Sequence, residues 1–225
     1  MRQILPTATS TIVDRIRDDI VAGHLAFGSR LTLDALAARY DVGHMPIREA
    51  VRQLQGEGVL VLTPNRGARV RGVDVGFVRN IFDMRIAIEA MLARRAARAI
   101  DARGIARLEA IEDEFEATAR TKDYRALLAL NRQFHSVIND AAQNPEAEAV
   151  LDTHRRLIAA LWMQYGYGDA RPAGVISDHR HIIAALAAHD ADVAAALAMA
   201  HAAKAKQELI ARMTTTHAAA APVAA

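Results

Sequence analysis

The chain of 225 residues contains no cysteine. Disulfide frameworks, thiolate zinc sites and cysteine catalysis are therefore excluded. The sequence also lacks an apolar run of about 18 residues, the length that crosses a bilayer. Its first ten residues lack the basic start and apolar core of a secretory leader. We therefore expect a cytoplasmic protein with no membrane partner.

Aromatic residues are scarce, at 4% of a chain that is 52% apolar and rich in alanine. This composition favours helices that pack closely through small side chains. The formal net charge is only +2, so the chain is not a bulk polycation. Residues 1–72 contain ten arginines, no lysine and seven acidic residues, which gives +3 there and −1 in the remainder. This mild asymmetry favours a local basic surface.

Two short amphipathic helices are predicted near the N-terminus. The first runs from about Thr32 to Tyr40, with Thr32 as its cap. Residues 41–43 form a turn, and the second helix runs from Pro46 to Gln55, because proline is tolerated in a first helical turn. The second helix carries one apolar stripe, formed by Ile47, Ala50, Val51 and Leu54. Gly56 and Gly58 end it.

A β-hairpin is predicted directly after this helix pair. Residues 59–62 and 68–71 are β-prone, and the turn-rich segment from Pro64 to Gly67 separates them. A helix pair followed by such a hairpin is typical of a winged helix-turn-helix domain for duplex DNA. We assign this domain to residues 1–73.

Arginines occupy the surfaces of this domain that would meet DNA. Arg48 and Arg52 are four residues apart and lie off the apolar stripe, so both can face one groove. Arg66 lies at the hairpin tip, with Arg69 and Arg71 beyond it, where they could reach a backbone or a minor groove. The alternative is that these arginines only form a solvated face.

The same segment resembles the DNA-binding domain of the GntR family of bacterial transcription regulators. IREAVRQLQGEGVLVLTPNRGARV, preceded by IRDDIVAGHLAFGSRLTLDALAARYDV, carries the resemblance over about residues 10–73. The resemblance implies that Arg48 and Gly67 contact DNA. Family members usually have Ser-Arg-Thr before the proline, whereas this chain has Gly43, His44 and Met45, so His44 is a candidate contact by position.

Beyond Asp74 a 3.6-residue apolar period predicts six helices, at about 75–101, 104–120, 122–142, 145–167, 172–189 and 190–212. Their short connections imply antiparallel neighbours, so the predicted fold is mainly α, with an antiparallel all-helical bundle over residues 74–212. The alanine-rich end, residues 213–225, has nothing to bury and is expected to be disordered.

Four polar side chains lie on inward faces of this predicted bundle. Asn131 and His135 are one turn apart beside an apolar stripe, and His179 and His201 stand where leucine is expected. An unpaired polar group in an apolar core costs about 1 to 3 kcal/mol, and a divalent metal on three neutral imidazoles would relieve these costs together. The alternative is that the histidines hydrogen-bond to helix carbonyls in the core.

The second half resembles the FCD effector-binding domain of the FadR-type branch, through FDMRIAIEAMLARRAA, NRQFHSVINDAAQNP, SDHRHIIAAL and AMAHAAK. The resemblance implies that an aspartate four residues before a histidine, and two later histidines, hold a divalent metal. Asn131 replaces that aspartate, and an amide is a neutral and weaker ligand. With three histidines as ligands we expect zinc, with nickel or manganese as alternatives.

Arg85 and Tyr165 are the predicted effector-binding residues. Arg85 shares one face of the first bundle helix with apolar residues, so its guanidinium needs an anion, either an organic acid or an internal partner such as Glu89 or Asp83. A metal and an arginine would hold a small hydroxy or keto acid at both ends. Tyr165 would line the same pocket.

Together these features predict a homodimeric, ligand-responsive DNA-binding regulator, with repression as the expected mode, that reads an inverted repeat in its operator. A metal-free sensor of an apolar or acyl ligand is the alternative. A metal-dependent enzyme is disfavoured, because no free carboxylate in sequence proximity to the ligand set offers a general base.

Overall fold

The computed structural model describes residues 8–63 and 67–220, and it divides into two units, residues 1–74 and 75–225. The predicted tip residues Pro64, Asn65 and Arg66 lie outside the described residues.

Three helices form most of the first unit: α1 (Ala8–Val21), α2 (Leu33–Tyr40) and α3 (His44–Gly56). The predicted cap of α2 is confirmed, since the Thr32 hydroxyl accepts a hydrogen bond from the Ala35 N–H at 3.2 Å. The predicted apolar stripe of α3 is also confirmed, because all four of its residues are buried. Their side chains pack against those of α1, α2 and the sheet to form one core.

A three-stranded antiparallel sheet completes the first unit, with strands β1 (Arg30–Leu31), β2 (Leu60–Thr63) and β3 (Gly67–Val70) in the order β1-β3-β2. The pairs Leu60↔Val70 and Val61↔Arg69 set the hairpin register. The hairpin confirms the predicted wing, whereas β1 was not predicted. A strand of two residues is too short for an alternating pattern to show in the sequence.

Gly67 has a backbone reason to be glycine. Its φ is +79°, a left-handed conformation that side chains disfavour, and a Cβ there would lie 3.1 Å from the carbonyl oxygen of Leu31. Gly67 therefore lets β3 begin close beside β1. Its role in the sheet is independent of any contact with DNA.

Six helices form the described part of the second unit: α4 (Val75–Ala99), α5 (Ala102–Ala119), α6 (Tyr124–Ala142), α7 (Pro145–Tyr165), α8 (Arg171–Ala187) and α9 (Ala191–Ala220). This confirms the predicted bundle. Asp101, Asp123 and Asn144 cap α5, α6 and α7 by accepting backbone N–H bonds. The cap explains why α5 begins at Ala102, before Gly104, where the sequence pattern had placed its start.

The second unit is arranged around α4, which packs along α9 and also contacts α6, α7 and α8, while α5 packs on α6 and α8. Within residues 8–63 and 67–220, no helix is both long enough and apolar enough to cross a membrane.

The prediction of disorder from residue 213 differs from the structure, in which α9 continues to Ala220. Met213 is fully buried, one turn after the buried Leu209, so this end of the helix does have an apolar contact to make. The hydroxyls of Thr214, Thr215 and Thr216 each donate to the carbonyl four residues earlier. Residues 221–225 lie outside the described residues.

Asp19 links α1 to the end of α2 in the first unit. Its carboxylate accepts hydrogen bonds from Arg39 Nε at 2.5 Å and from the Tyr40 hydroxyl at 2.8 Å. The bond from Arg39 is the main cause that lowers the pKa of Asp19 from 3.8 to about 2, against the opposing effect of burial.

We expect Asp19→Asn to destabilise the first unit by about 1 to 2 kcal/mol at pH 7, a value discounted for partial exposure. Because the folded-state pKa is depressed, this stabilisation is complete above pH 3.8 and is lost as the pH falls towards 2. Urea unfolding at several pH values measures it. Asp18→Asn, at an exposed site on the same helix, is the control. A constant difference between wild type and Asp19→Asn from pH 7 to pH 3 would contradict the assignment.

Candidate functional site

The exposed face of α3 is the candidate DNA-reading surface. Arg48 and Arg52 are both exposed and lie one turn apart, on the side opposite the buried stripe that starts at Ile47. The core therefore fixes the helix by one face and leaves both guanidinium groups in solvent. Guanidinium groups in this position suit phosphate oxygens and the acceptor edge of guanine.

The N-terminus of α3 is also open towards solvent. Its cap is Gly43, which has no side chain to bond the first N–H groups, and its first turn contains no acidic residue. Free N–H groups at the positive end of a helix dipole favour anions such as phosphate. The predicted contact His44 is exposed here, and its Nε2 lies 3.1 Å from Asp34 Oδ1 on α2.

The predicted wing arginines divide into two groups. Arg66 lies outside the described residues. Arg69 donates to the Gly28 carbonyl at 2.6 Å, and Arg71 donates to the Gly58 carbonyl at 3.2 Å. Both therefore hold loops of their own unit, which is a role that the sequence analysis did not assign to them.

Three histidines from three helices meet inside the second unit. His135 on α6, His179 on α8 and His201 on α9 each offer a ring nitrogen, and these atoms all lie within 4.8 Å of one another. The ring centroids are 5.0 to 5.6 Å apart. Within the described chain no other group of three or more such side chains meets this criterion.

Neighbouring side chains fix the orientation of these rings. The ring of His179 stacks on Phe134, with centroids 3.8 Å apart and planes 5° from parallel. Its Nδ1 lies 2.6 Å from Glu112 Oε2, and both side chains are fully buried. His201 Nδ1 lies 3.3 Å from Asp178 Oδ2. Two of the imidazoles thus have a carboxylate on the side of Nδ1.

The cluster leaves buried polar atoms without partners. In the described part of the chain, five buried side-chain nitrogen or oxygen atoms lack a hydrogen bond. One of them, His179 Nε2, belongs to this cluster, and another, Glu112 Oε1, is on the side chain that contacts His179. A third, Asn131 Oδ1, is on α6, the helix that carries His135. Each such atom is costly in a folded interior. Asn131 stands one turn before His135, as the sequence predicted, with its amide oxygen still free to accept or ligate.

Burial favours the neutral form of two of these imidazoles. It lowers the pKa of His135 to about 3 and holds the pKa of His179 well below its usual range. Burial also raises the pKa of Glu112 to about 8. Neutral imidazole is the form that binds a metal, so the environment supplies ligands that need not first lose a proton.

Arg85 has an internal partner. Its Nε and Nη2 donate to Glu89 Oε1 at 2.9 and 2.6 Å, and the two side chains are only 14% and 9% exposed. This is the internal salt bridge that the sequence analysis left as the alternative. Asp83, the other internal candidate, pairs with Lys206 instead. Burial alone would raise the pKa of Glu89, but the charge of Arg85 lowers it overall.

Arg155 on α7 is a residue that the sequence analysis missed. With its amide oriented to satisfy both groups, Asn139 donates to the His135 carbonyl at 3.2 Å and accepts from Arg155 Nη2 at 2.9 Å. Asp152 accepts from Arg155 Nη1 at 2.9 Å. Burial lowers the pKa of Arg155, and Arg85 adds to this effect by repulsion. A second guanidinium therefore lies near His135, and no pattern in the sequence distinguishes it from a surface arginine.

Tyr165 is the last residue of α7 and is partly buried, which raises the pKa of its phenol. Its place in an effector pocket stays a prediction. The neighbouring aromatic residues pack around Arg171, whose guanidinium carbon lies 4.1 Å from the Trp162 ring centroid and 5.1 Å from that of Tyr167. These two aromatic residues therefore pack against Arg171.

A winged helix-turn-helix followed by a helical bundle with a histidine cluster defines a class of two-part DNA-binding proteins. The family model for bacterial regulatory proteins of the gntR family matches residues 8–70, and the FCD domain model matches residues 80–204. The chain therefore belongs to the GntR family of bacterial transcription regulators, in the branch that carries an FCD domain. It is a DNA-binding regulator and not an enzyme.

Relatives with similar sequences agree with this assignment. The HTH-type transcriptional repressor RspR of Escherichia coli K12 is 28% identical over 181 residues, which covers 79% of this chain and 78% of RspR. The Nta operon transcriptional regulator of Aminobacter aminovorans is 28% identical over 182 residues, covering 80% and 84% of the two chains.

Solved structures share the fold. Escherichia coli McbR/YncC gives a TM-score of 0.75 at 20% identity, covering 95% of this chain and 100% of the other. A GntR regulator from Rhodococcus sp. RHA1 gives 0.73 at 18% identity, covering 90% and 97%. At these identities the likeness establishes the fold alone.

The Arg85–Glu89 pair yields a stability test. Removal of one partner leaves a buried charge without compensation, so Arg85→Met is expected to cost about 3 to 5 kcal/mol. The double variant Arg85→Met/Glu89→Leu removes both charges and should unfold close to wild type. Thermal unfolding of the purified protein measures both. Lys122→Ala, which breaks an exposed pair with Asp169, is the control and should cost under about 1 kcal/mol. Equal losses in the single and double variants would contradict the interpretation.

Proposed function

We propose that this regulator is a ligand-responsive repressor that binds its operator as a homodimer. Each protomer would place α3 in the major groove of one half-site of a short inverted repeat. The pair Arg48 and Arg52 on a solvent-facing surface supports this placement, together with the glycine-capped N-terminus of the helix. Repression is proposed because the relative RspR is described as a repressor.

The observation that carries the DNA-binding role is the pair of exposed arginines on a helix whose opposite face is buried. We expect Arg48→Ala to weaken binding to the DNA upstream of its gene by about 1 to 3 kcal/mol, which is roughly 5- to 150-fold. Gel-shift or anisotropy titration at two salt concentrations measures the loss. The matched control is Arg107→Ala, which removes the same charge from an exposed site on α5.

Equal weakening by Arg48→Ala and Arg107→Ala would mean that only the net charge matters. Unchanged affinity for Arg48→Ala would remove Arg48 from the interface. In contrast, a loss confined to Arg48→Ala that persists as salt rises would support a base contact, because a phosphate contact weakens with salt.

For the second unit we propose that His135, His179 and His201 hold a divalent metal, with Asn131 as a fourth ligand. Three observations support the fit. The ring nitrogens lie within 4.8 Å of one another, two of the three imidazoles are buried and the third is partly buried, and His179 Nε2 and Asn131 Oδ1 are buried atoms with no hydrogen-bond partner among the described residues. Zinc suits this set of nitrogen donors, with nickel or manganese as alternatives.

The proposed effector is a small organic acid. Because all four proposed ligands are neutral, they offset none of the metal's charge themselves, and an anion in an open coordination position would offset part of it. Arg85 lies beside this centre, as Arg155 does, and either guanidinium could bind a carboxylate through two hydrogen bonds. To engage Arg85 fully, the acid must compete with Glu89. Tyr165 is proposed as a further lining residue.

Effector binding would regulate DNA binding through the connection around Gly72 to Asp74. The free energy available is only the difference in effector affinity between the DNA-bound and the released forms. A metal-free sensor of an apolar or acyl ligand is the second candidate, because the amide of Asn131 is a weaker ligand than a carboxylate.

Metal loading tests the two candidates. We expect wild-type protein purified without added metal to retain zinc, and His179→Ala to lose it. His181→Ala, at an exposed site on the same helix, is the control and should retain the metal. Elemental analysis measures the content, and less than about a tenth of an equivalent per wild-type chain would favour the metal-free sensor. In a thermal-shift screen, small hydroxy or keto acids should stabilise the loaded protein increasingly with concentration.

The dependence on metal is the deciding result of that screen. Stabilisation by an acid that vanishes with a chelator supports binding on the metal. Equal stabilisation with and without the chelator would place the acid elsewhere and leave Arg85 and Arg155 as its candidate partners.

A further inference from the structure

The proposed metal site lies against a buried carboxylate that takes no direct part in it. Glu112 projects from α5, which supplies none of the three histidines, and its side chain is fully buried. Its Oε2 lies 2.6 Å from His179 Nδ1, while Oε1 has no partner among the described residues. Isolated buried carboxylates are rare in protein interiors, because desolvation disfavours their charge.

The geometry assigns the two nitrogens of His179 to different tasks. An Nδ1–H that donates to Glu112 leaves the lone pair on Nε2, and Nε2 is the atom that is buried without a partner. The Phe134 ring, stacked on His179, fixes the plane of the imidazole and so the directions in which its two nitrogens point. His201 has the same arrangement in weaker form, since its Nδ1 lies 3.3 Å from Asp178, which also accepts from Lys204.

The charged side chains that the structure describes around Glu112 do not provide it with a cationic partner. The nearest charged groups on its own helix are Asp113 and Glu116, and both repel it. Arg180 on α8 attracts Glu112, but its guanidinium donates to Asp113 and Glu116 instead. Glu112 therefore has no cationic partner of its own among the described residues. A cation bound to Nε2 of His179 would supply one through the ring, and its charge would favour the ionised form of Glu112 against the opposing effect of burial.

Resting on the metal site proposed above, we infer that Glu112 is a positioning residue for the metal, which directs Nε2 of His179 to the centre and supplies from the outer sphere the negative charge that Asn131 lacks as a direct ligand. Carboxylates that hydrogen-bond to a ligating histidine fix its tautomer and raise its basicity, and their loss costs about 10- to 100-fold in metal affinity. In this chain the carboxylate of Glu112 would act through the imidazole of His179 instead of binding the metal directly.

Cobalt(II) is the probe for a double-mutant cycle in the full chain, because its absorption reports both affinity and coordination geometry. We expect Glu112→Gln to bind Co²⁺ about 10- to 100-fold more weakly than wild type. Asn131→Asp restores a negative charge at the centre, so the double variant Asn131→Asp/Glu112→Gln should recover most of that loss. Glu109→Gln, at an exposed position of the same helix, is the control and should bind as wild type does. Unfolding temperatures measured in chelator show whether each variant folds.

The outcomes separate this inference from the metal site itself. Co²⁺ binding by Glu112→Gln within about threefold of wild type overturns the role of Glu112 and leaves the metal site standing. No Co²⁺ binding by wild type overturns both. If Glu112→Gln binds Co²⁺ more weakly and the double variant Asn131→Asp/Glu112→Gln does not recover the affinity, the proposal that Glu112 compensates for the missing charge at Asn131 is overturned.

A measurement on the wild type keeps the inference testable if Glu112→Gln does not fold. In ¹⁵N spectra of the zinc-loaded protein with labelled histidine, His179 should show a protonated Nδ1 and a metal-bound Nε2. A metal-bound Nδ1 would overturn the inference, because Glu112 then has no N–H to accept.

Discussion

Placing polar imidazoles inside an apolar bundle costs free energy, and the arrangement of side chains around the histidines of the second unit depends on how that cost is offset. Alanine-rich helices pack closely and exclude water, so each buried nitrogen must find a partner in the protein or in a ligand. Part of this demand is met internally, by Glu112 for His179 and by Asp178 for His201. The remaining atoms point to one centre from helices α6, α8 and α9. Buried atoms that lack a partner in this way would be stabilised by a ligand that binds the folded protein.

The two units use opposite solutions to the placement of polar groups. In the winged helix-turn-helix, α3 buries one apolar face and leaves its arginines in solvent, where a charged partner can reach them. In the bundle, the clustered histidine side chains lie inside, and neighbours such as Phe134, which stacks on His179, fix their orientation. The candidate DNA-reading side chains are therefore exposed, whereas the clustered histidines lie inside the bundle.

Local patterns predicted much of this fold. The Thr32 cap, the buried stripe of α3 and the six bundle helices all follow from residues close together in the sequence, and the structure confirms them. The inward faces of the histidines were predicted in the same way. The parts that were missed depend on distant contacts: strand β1 exists because β3 lies beside it, and Glu112 matters because α8 brings His179 to it. The extension of α9 depends on the burial of Met213, which an alanine-rich sequence does not reveal.

The histidines come from helices that are far apart in the chain, with α7 between the first and the second. An ion shared by them would join these segments in the folded bundle and would stabilise that state by its binding free energy. Since the sequence has no cysteine, such a link cannot come from sulfur chemistry. The histidine-bearing helices would then be linked only when metal is bound, and the rigidity of the bundle would vary with the concentration of available metal.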